Sequence, residues 1–169
     1  MRPAAPPRAS TIAVTGHRPP RLGGYTPEVD ELLARLADHT LAELEPARVL
    51  TGMAQGWDLA VAEACARAGV AFTAALPFAD PDARWPAPQR ARLRRLLEQA
   101  ASVELISPSP GPGAYHVRDR WMVERAELLV ALWDGARQGG TFSTVRSAEK
   151  RGVPVHNVWA GWTALSGGA

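Results

Sequence analysis

Short apolar runs alternate with longer segments of helical spacing along most of this chain, and this alternation constrains the fold more than any other feature. The predicted strands cover residues 10–15, 48–51, 70–76, 103–107, 127–133 and 153–159. Continuous apolar runs of this length are typical of strands buried on both faces of a parallel sheet. We therefore predict an α/β protein with a single-domain, three-layer Rossmann-like fold, in which a mainly parallel sheet of about six strands carries helices on both faces.

The predicted helices begin and end at residues that favour helix boundaries. They cover residues 26–44, 57–69, 89–101, 114–126 and 141–152. Thr26 can cap the first helix, and Pro27 suits its first position because the fixed φ of proline and its missing N–H cost nothing there. Gly69 is a typical residue for the end of the second helix.

The length of 169 residues suits one domain with a sizeable core. We predict a flexible N-terminal tail over 1–9, a single Rossmann-like domain over 10–160 and a C-terminal tail over 161–169. The first residues include prolines where a signal peptide needs an apolar core, and no apolar run approaches the roughly 20 residues of a membrane helix. We expect a cytoplasmic location and no membrane partner.

Charge and cysteine content argue against several classes of function. The net charge is only +2, and the one arginine cluster, at 90–95, is typical of a solvated helix face, so support for nucleic-acid binding is weak. Cys65 is the single cysteine, which rules out an internal disulfide and a zinc site built on cysteines. The histidines show no metal-ligand spacing, so we predict no metal and no cofactor.

Four glycine-bearing loops follow predicted strands, at residues 15–24, 52–58, 107–119 and 134–141. In a parallel sheet these loops lie at one edge, beyond the carboxyl ends of the strands, where ligands bind. Glycine lets the backbone approach a ligand closely, and a helix that starts directly after the loop directs free N–H groups at an anion. The sequence therefore predicts a phosphate site at this edge, although glycines before a helix can also serve only to make the turn.

We predict that fifteen residues in these loops, or in the helix that directly follows the last of them, contact the ligand. They are Thr15, Gly16, His17, Arg18, Gly52, Met53, Gln55, Gly56, Asp58, Arg118, Asp134, Gly139, Gly140, Thr141 and Thr144. Arg18 offers a charged fork for phosphate, and Asp58 could accept a hydrogen bond from a ribose hydroxyl or simply stabilise a helix start. His17 has no acidic partner nearby in the sequence, so we favour ligand contact or loop packing over catalysis.

Arg118 and Met122 are four residues apart and share a helix face, whereas we expect Asp119 and Arg120 to point elsewhere. We expect the substitution Arg118→Ala to weaken phosphate binding without unfolding the protein. Arg118 and Asp58 are the candidate catalytic residues, should the protein be an enzyme.

Three stretches together resemble the SLOG superfamily: "TGHRP" at 15–19, "GMAQGWDLAVAEACARAG" at 52–69, and the segment 118–155. That superfamily includes the Lonely Guy phosphoribohydrolases and DNA-processing protein A. The resemblance covers roughly 11–158 and is greatest to the uncharacterised branch that begins with "TGHRP". It implies a Rossmann-like nucleotide-binding fold.

The Lonely Guy enzymes carry an R-x-x-x-M helix, an acidic residue before a strand, and a loop that ends in G-T-x-x-E. Arg118 and Met122 fit the helix, Glu127 fits the acidic position and the "GGT" at 139–141 fits the loop. The glutamate that the resemblance assigns to cleavage of the base–ribose bond is Thr144 here. A threonine hydroxyl is a poor base, so a carboxylate from another residue would have to replace the glutamate, and the candidates are Asp58, Asp134 and Glu149.

The resemblance and the missing glutamate favour a protein that binds a nucleotide or nucleotide-derived phosphate ligand, with a sensory role as one form of this function. The first alternative is a nucleoside 5′-monophosphate phosphoribohydrolase, an N-glycosidase of the Lonely Guy type. The second is single-stranded DNA binding of the DNA-processing protein A type. Relatives are commonly dimeric, so a homo-oligomer is expected. The large apolar residues available for its interface, or for the core, are Trp121, Trp133, Trp159 and Trp162.

Overall fold

The structure, a computed structural model, describes residues 8–167 and contains one six-stranded sheet in which every neighbouring pair of strands is parallel. The strands are β1 (Thr11–Gly16), β2 (Arg48–Thr51), β3 (Ala71–Leu76), β4 (Ser102–Leu105), β5 (Leu128–Leu132) and β6 (Val155–Asn157). All six overlap the predicted strands, and the predicted fold class is confirmed. Their order in the sheet is β4-β3-β2-β1-β5-β6.

Helices connect the strands and form a layer on each face of the sheet. They are α1 (Pro27–Leu44), α2 (Trp57–Ala68), α3 (Ala87–Gln99), α4 (Pro112–Glu124), α5 (Gly139–Lys150) and α6 (Trp159–Leu165). The α1, α2, α3 and α6 helices pack together on one side, and α4 packs against α5 on the other. As predicted, the Thr26 side chain caps α1 by accepting the N–H of Val29, and Gly69 ends α2 in the left-handed region with φ +70°.

The order of the strands reverses direction between β1 and β5. From β1 the chain builds outwards through β2, β3 and β4, then crosses back to place β5 on the other side of β1. At such a switch point the connections that leave the two neighbouring strands diverge, because they run to opposite faces of the sheet. A crevice therefore opens beyond the carboxyl ends of β1 and β5.

The core lies on both faces of the sheet, and its larger part is on the α1–α2 side. Trp57 at the start of α2 is fully buried there, together with Phe72 of β3 and Leu33 of α1. On the other face, Met122 of α4 and Val145 of α5 pack on the central strands. Both layers thus fix the starts of the helices that border the crevice.

The C-terminal segment corrects one sequence-based expectation. Residues 161–169 were expected to form a tail, but α6 extends to Leu165, and Trp162 packs in the α1–α2 core with only 4% of its surface exposed. Tertiary packing on α1 stabilises this seven-residue helix, which is too short to be stable from its own propensity. Of the two predicted tails, residues 1–7 and 168–169 lie outside the described residues.

Among residues 8–167, no helix is both long and apolar enough to cross a membrane.

Candidate functional site

The crevice at the switch point holds a cavity of about 500 Å³, which is within the usual range for small-molecule sites. Loops and helix starts that follow β1, β2, β4 and β5 all contribute to its wall. The lining residues are Val14, Thr15, Gly16, His17, Arg18, Pro20, Arg21, Ala54, Asp58, Pro112, Tyr115, His116, Arg118, Asp119, Met122, Gln138, Gly139, Gly140 and Thr141. The four loops that the sequence placed at one edge of the sheet therefore converge on one space.

The first turn of α5 faces this cavity. The helix begins at Gly139, two residues earlier than predicted, so Gly139 and Gly140 belong to its first turn rather than to a loop. A Cβ at either glycine would meet no other atom within 4 Å, and Gly139 has a φ of +87° that L side chains rarely adopt. The first N–H groups of a helix have no partner within the helix, so those of α5 are available to an anion in the cavity.

Three other glycines allow close packing between neighbouring segments, and one of them, Gly16, also lines the cavity. A Cβ on Gly16 would lie 2.6 Å from Cδ1 of Trp57, and one on Gly52 would lie 2.5 Å from Nη1 of Arg118. At Gly56, where φ is +95°, a Cβ would lie 2.8 Å from the backbone oxygen of His17. These glycines allow the β1 and β2 loops to approach their neighbours closely enough to form the wall of the cavity.

We expect the substitution Gly16→Ala to lower the free energy of unfolding by about 1–3 kcal/mol, because the new methyl group overlaps the buried Trp57 side chain. Urea denaturation would measure the change. Gly113→Ala on α4 is the matched control, since a Cβ there enters open space. A Gly16→Ala variant as stable as the control would contradict this packing role.

Arg118 connects the middle of α4 to the carboxyl ends of β2 and β3. Its side chain is buried, with 6% exposed. Nη1 donates to the backbone oxygens of Gly52 at 2.7 Å and of Ala75 at 3.3 Å, and Nε donates to Oδ1 of Asp119 at 2.6 Å. Nη2 makes no hydrogen bond with the described residues, so only this corner of the guanidinium group is free for a ligand. Arg118 thus stabilises the packing of α4 on the sheet and also forms part of the cavity wall.

Asp119 lines the cavity, and the expectation that it points elsewhere is wrong. Its Oδ1 accepts from Arg118, and its Oδ2 accepts from the Thr144 hydroxyl at 3.0 Å. The spacing rule that pairs Arg118 with Met122 does not reveal this contact, because it depends on α5 packing beside α4. Arg120 is exposed on the outer side of α4, 3.8 Å from Glu124.

Asp58 lines the cavity at the start of α2 and is buried, with 6% exposed. Its Oδ2 accepts the N–H of Ala54 at 3.3 Å, but its Oδ1 is buried without a hydrogen-bond partner among the described residues. Burial raises the pKa of Asp58 to about 6, against the opposing effects of the Arg118 charge and the Ala54 N–H. A buried oxygen without a partner is costly, and a hydroxyl of a bound ligand would satisfy it.

His17 has an acidic partner that is distant in the sequence. Its Nε2 lies 2.9 Å from Oδ1 of Asp134 and 3.2 Å from the backbone nitrogen of Asp134, while its ring packs edge-on against Trp159. Arg21 donates to Oδ2 of Asp134 at 2.6 Å. Asp134 itself does not line the cavity, and its contacts connect the β1 loop to the β5 loop behind the cavity wall.

These contacts set the protonation of Asp134. Partial burial opposes ionisation, but hydrogen bonds from the Ala136 N–H, Arg21 and His17 prevail and lower the pKa of Asp134 from 3.8 to about 2. A carboxyl with a lowered pKa in the folded state stabilises the fold above its unfolded pKa, and this stabilisation is lost as pH falls through the folded value.

We therefore expect the substitution Asp134→Asn to destabilise the protein at pH values above about 4, and the deficit to shrink as the pH falls towards about 2. Urea denaturation midpoints of the wild type and of Asp134→Asn across that pH range would measure this difference in stability. Asp38→Asn is the control, since Asp38 forms an exposed ion pair with Arg67. A deficit that persists unchanged at the acid end would show that the carboxylate charge is not what joins the two loops.

Six of the fifteen predicted residues do not line the main cavity. Thr144 lies buried behind Asp119 and also contacts the backbone oxygen of Gly140. Gly52 and Met53 border a small adjoining space beside Arg118, and Gln55 and Gly56 border a separate depression near Tyr25. With Asp134, they complete the set of six predicted residues that lie outside the lining. The lining also includes residues that the prediction omitted, among them Tyr115 and His116 of α4.

Two acidic residues considered from the sequence lie away from the cavity. Glu127 precedes β5, at the opposite edge of the sheet, where its carboxylate accepts the backbone N–H groups of Ser10 and Thr11. Glu149 is exposed on α5 and pairs with Arg146. No group of three or more His, Cys, Asp or Glu residues suited to a metal ion occurs within 8–167.

The fold and the cavity define a Rossmann-like α/β protein with a candidate ligand site at the switch point of a parallel sheet. The model of the YspA SLOG family matches residues 12–155, so the chain belongs to that family. A UPF0398 protein of Bacillus pumilus (strain SAFR-032) is 27% identical over 150 residues, which cover 82% of this chain and 81% of that protein.

Solved structures share the fold at low sequence identity. DNA processing protein A from Streptococcus pneumoniae superposes with a TM-score of 0.61 at 16% identity, covering 92% of this chain and 53% of that one. The present chain thus spans about half the length of that protein. A molybdenum cofactor binding protein from Rippkaea orientalis gives a TM-score of 0.56 at 17% identity, covering 95% and 86% of the two chains.

Proposed function

We propose that this protein binds a nucleotide or a nucleotide-derived phosphate ligand in the switch-point cavity. The carrying observation is a pairing of two features across one space: the open first turn of α5 at Gly139 and Gly140, and the unpartnered Oδ1 of Asp58. The first suits an anionic group, and the second suits a sugar hydroxyl. A phosphorylated sugar presents both groups in one molecule.

Charged side chains around the cavity support the same ligand. Arg18 is exposed at the rim, and one corner of the Arg118 guanidinium group is free. Asp58 and Asp119 both line the cavity, so a ligand with negative charge throughout would meet repulsion there. A nucleotide that directs its phosphate towards α5 and its ribose towards Asp58 avoids that repulsion.

Isothermal titration calorimetry with adenosine, guanosine, cytidine and uridine 5′-monophosphates and with ADP-ribose tests the proposal. We expect saturable binding of at least one of them, and weaker binding of the corresponding nucleoside, which lacks the phosphate. No heat of binding from the whole panel at millimolar ligand would overturn the proposal. The variant Asp58→Ala should bind more weakly than the wild type, because the ribose hydroxyl loses its acceptor.

The arginine cluster at 90–95 gives single-stranded DNA binding less support in the structure than its sequence suggested. Arg92 is in ion pairs with Glu63 at 2.6 Å and Asp30 at 3.7 Å, and Arg90 lies 3.5 Å from Asp82. Pairing with carboxylates removes much of the positive field that a DNA backbone requires. A filter-binding assay that detects salt-sensitive affinity for a single strand would reverse this ranking.

We also retain a homodimer and a cytoplasmic location as parts of the proposal. Trp162 is buried within the chain and Trp159 packs against the core, which leaves fewer apolar residues for an interface. Within residues 8–167, the exposed large apolar residues are Tyr25, Val103, Leu105 and Val117. Light scattering at two protein concentrations would give the oligomeric state.

A further inference from the structure

We infer that the base of the bound nucleotide packs against the ring of Tyr115. The ligand then lies along the edge of the sheet, with its phosphate at α5, its ribose at Asp58 and its base at α4. This inference rests on the proposed binding function and adds a third contact to it. It makes a nucleotide with an intact base, rather than a bare sugar phosphate, the preferred class of ligand.

The first support is the order of the three contacts along the sheet. The α5 helix packs on β1, β5 and β6, α2 follows β2, and Arg118 connects α4 to the ends of β2 and β3. Neighbouring strands lie about 4.8 Å apart, so β5 and β2, with β1 between them, are roughly 10 Å apart. A nucleotide carries its phosphate and its base at opposite ends of the ribose. A ligand held at α5 and at Asp58 therefore extends its base towards α4, where Tyr115 lines the cavity.

The second support is the kind of side chain that meets the base there. Within residues 8–167, Tyr115 is the only Phe, Tyr or Trp residue that lines the cavity. The two histidines of the lining are less suited to this contact. His17 is only 5% exposed and is in contact with Asp134. His116 faces α5, with its Nδ1 3.3 Å from Oγ of Ser143. A base gains favourable contact against an aromatic ring whatever its substituents, so Tyr115 is the side chain suited to hold it.

The third support is the way in which the Tyr115 ring is held. Phe78, in the loop after β3, packs against it in a T-shaped arrangement, with the ring centroids 5.6 Å apart and the planes at 83°. Cζ of Arg118 lies over the Tyr115 ring, 5.9 Å from its centroid. These contacts restrict the ring before a ligand arrives. Binding of the base therefore costs little additional side-chain entropy.

The space on the far side of the main cavity is too small for a base. Tyr115 also borders an adjoining space of about 30 Å³, together with Trp85 and Pro81. That volume holds only about one or two water molecules. The base therefore packs on Tyr115 from within the main cavity, whose volume of about 500 Å³ has room for phosphate, ribose and base together.

Isothermal titration calorimetry that compares a nucleoside 5′-monophosphate with ribose 5-phosphate tests the inference. Both ligands carry the phosphate and the ribose, but ribose 5-phosphate lacks the base. The nucleotide used is the one of the four that the wild type binds most tightly. We expect it to bind at least about tenfold more tightly than ribose 5-phosphate, since a contact between a base and an aromatic ring typically contributes that much. Equal affinities would overturn the inference and leave the phosphate and ribose contacts of the proposed function standing.

The variant Tyr115→Leu distinguishes a contact with the base from general packing. It should bind the nucleotide about tenfold more weakly and keep its affinity for ribose 5-phosphate within a few fold. Tyr115→Phe keeps the ring and should bind both ligands like the wild type. Tyr25→Leu is the matched control, because Tyr25 is exposed and borders the separate depression instead of the cavity.

Two results with Tyr115→Leu would overturn the inference: an unchanged affinity for the nucleotide, or an equal loss of affinity for both ligands. If this variant does not fold, the comparison of the two ligands on the wild type decides. Failure of every nucleotide to bind the wild type would overturn both the inference and the proposed function.

Discussion

The variant Arg118→Ala should lose about 3–5 kcal/mol of folding free energy, the largest effect that we expect from a single substitution in this chain. Removal of the guanidinium group leaves the Asp119 carboxylate without its ion-pair partner and deprives the backbone oxygens of Gly52 and Ala75 of their donor. All of these groups are buried or half-buried, so water replaces the lost bonds only in part. Such a loss is a large fraction of the stability of an ordinary domain.

Urea or thermal denaturation would measure this loss, and Arg120→Ala is the matched control. Arg120 is the exposed neighbour of Glu124 on the same helix, and removing a surface pair at this spacing should change stability by no more than about 0.5 kcal/mol. This expected loss of stability replaces the sequence-based expectation that Arg118→Ala weakens phosphate binding without unfolding the protein. Equal midpoints for the two variants would show that the contacts of Arg118 with β2 and β3 carry no stability.

The variant Gly140→Ala should show the opposite combination, a slightly more stable protein that binds its ligand at least tenfold more weakly. Alanine is favoured over glycine in a helix by about 0.5–1 kcal/mol, and a Cβ at Gly140 meets no protein atom within 4 Å. That same methyl group enters the cavity at the place where a phosphate must approach the backbone. A tenfold loss corresponds to about 1.4 kcal/mol of binding free energy.

Gly113→Ala is the control for this prediction. Gly113 lies in the first turn of α4, and a Cβ there also enters open space, but the residue does not line the cavity. It should gain similar stability and keep its affinity, as measured by thermal denaturation and by calorimetry with the nucleotide that binds the wild type. If Gly140→Ala binds as tightly as Gly113→Ala, the phosphate does not lie against the start of α5.

The sequence predicted the sheet and most of its helices, because these depend on local patterns. The continuous apolar runs determine the strands, and Thr26 and Gly69 mark helix boundaries through their own side-chain and backbone chemistry. The helix around Trp162 was missed because its stability comes from packing on α1, which no window of its own residues reveals. The start of α5 at Gly139 was not predicted, because glycine has a low helix propensity.

The candidate site was only partly predictable for a related reason. The topology alone indicated that four loops converge at one edge, but the contacts between them join residues that are far apart in the chain. His17 finds Asp134 117 positions away, and Asp119 finds Thr144 25 positions away. The glycines illustrate this limit most clearly. Gly16, Gly139 and Gly140 all line the cavity, but only at Gly16 would a Cβ overlap the buried Trp57, which the sequence does not reveal.

A crystal structure of the protein with a bound nucleoside 5′-monophosphate tests the central claim most directly. We expect phosphate oxygens at about 3 Å from backbone nitrogens in the first turn of α5, and a ribose hydroxyl within hydrogen-bond distance of Oδ1 of Asp58. A nucleotide bound elsewhere, or bound in this cavity with its phosphate away from Gly139 and Gly140, would contradict the account.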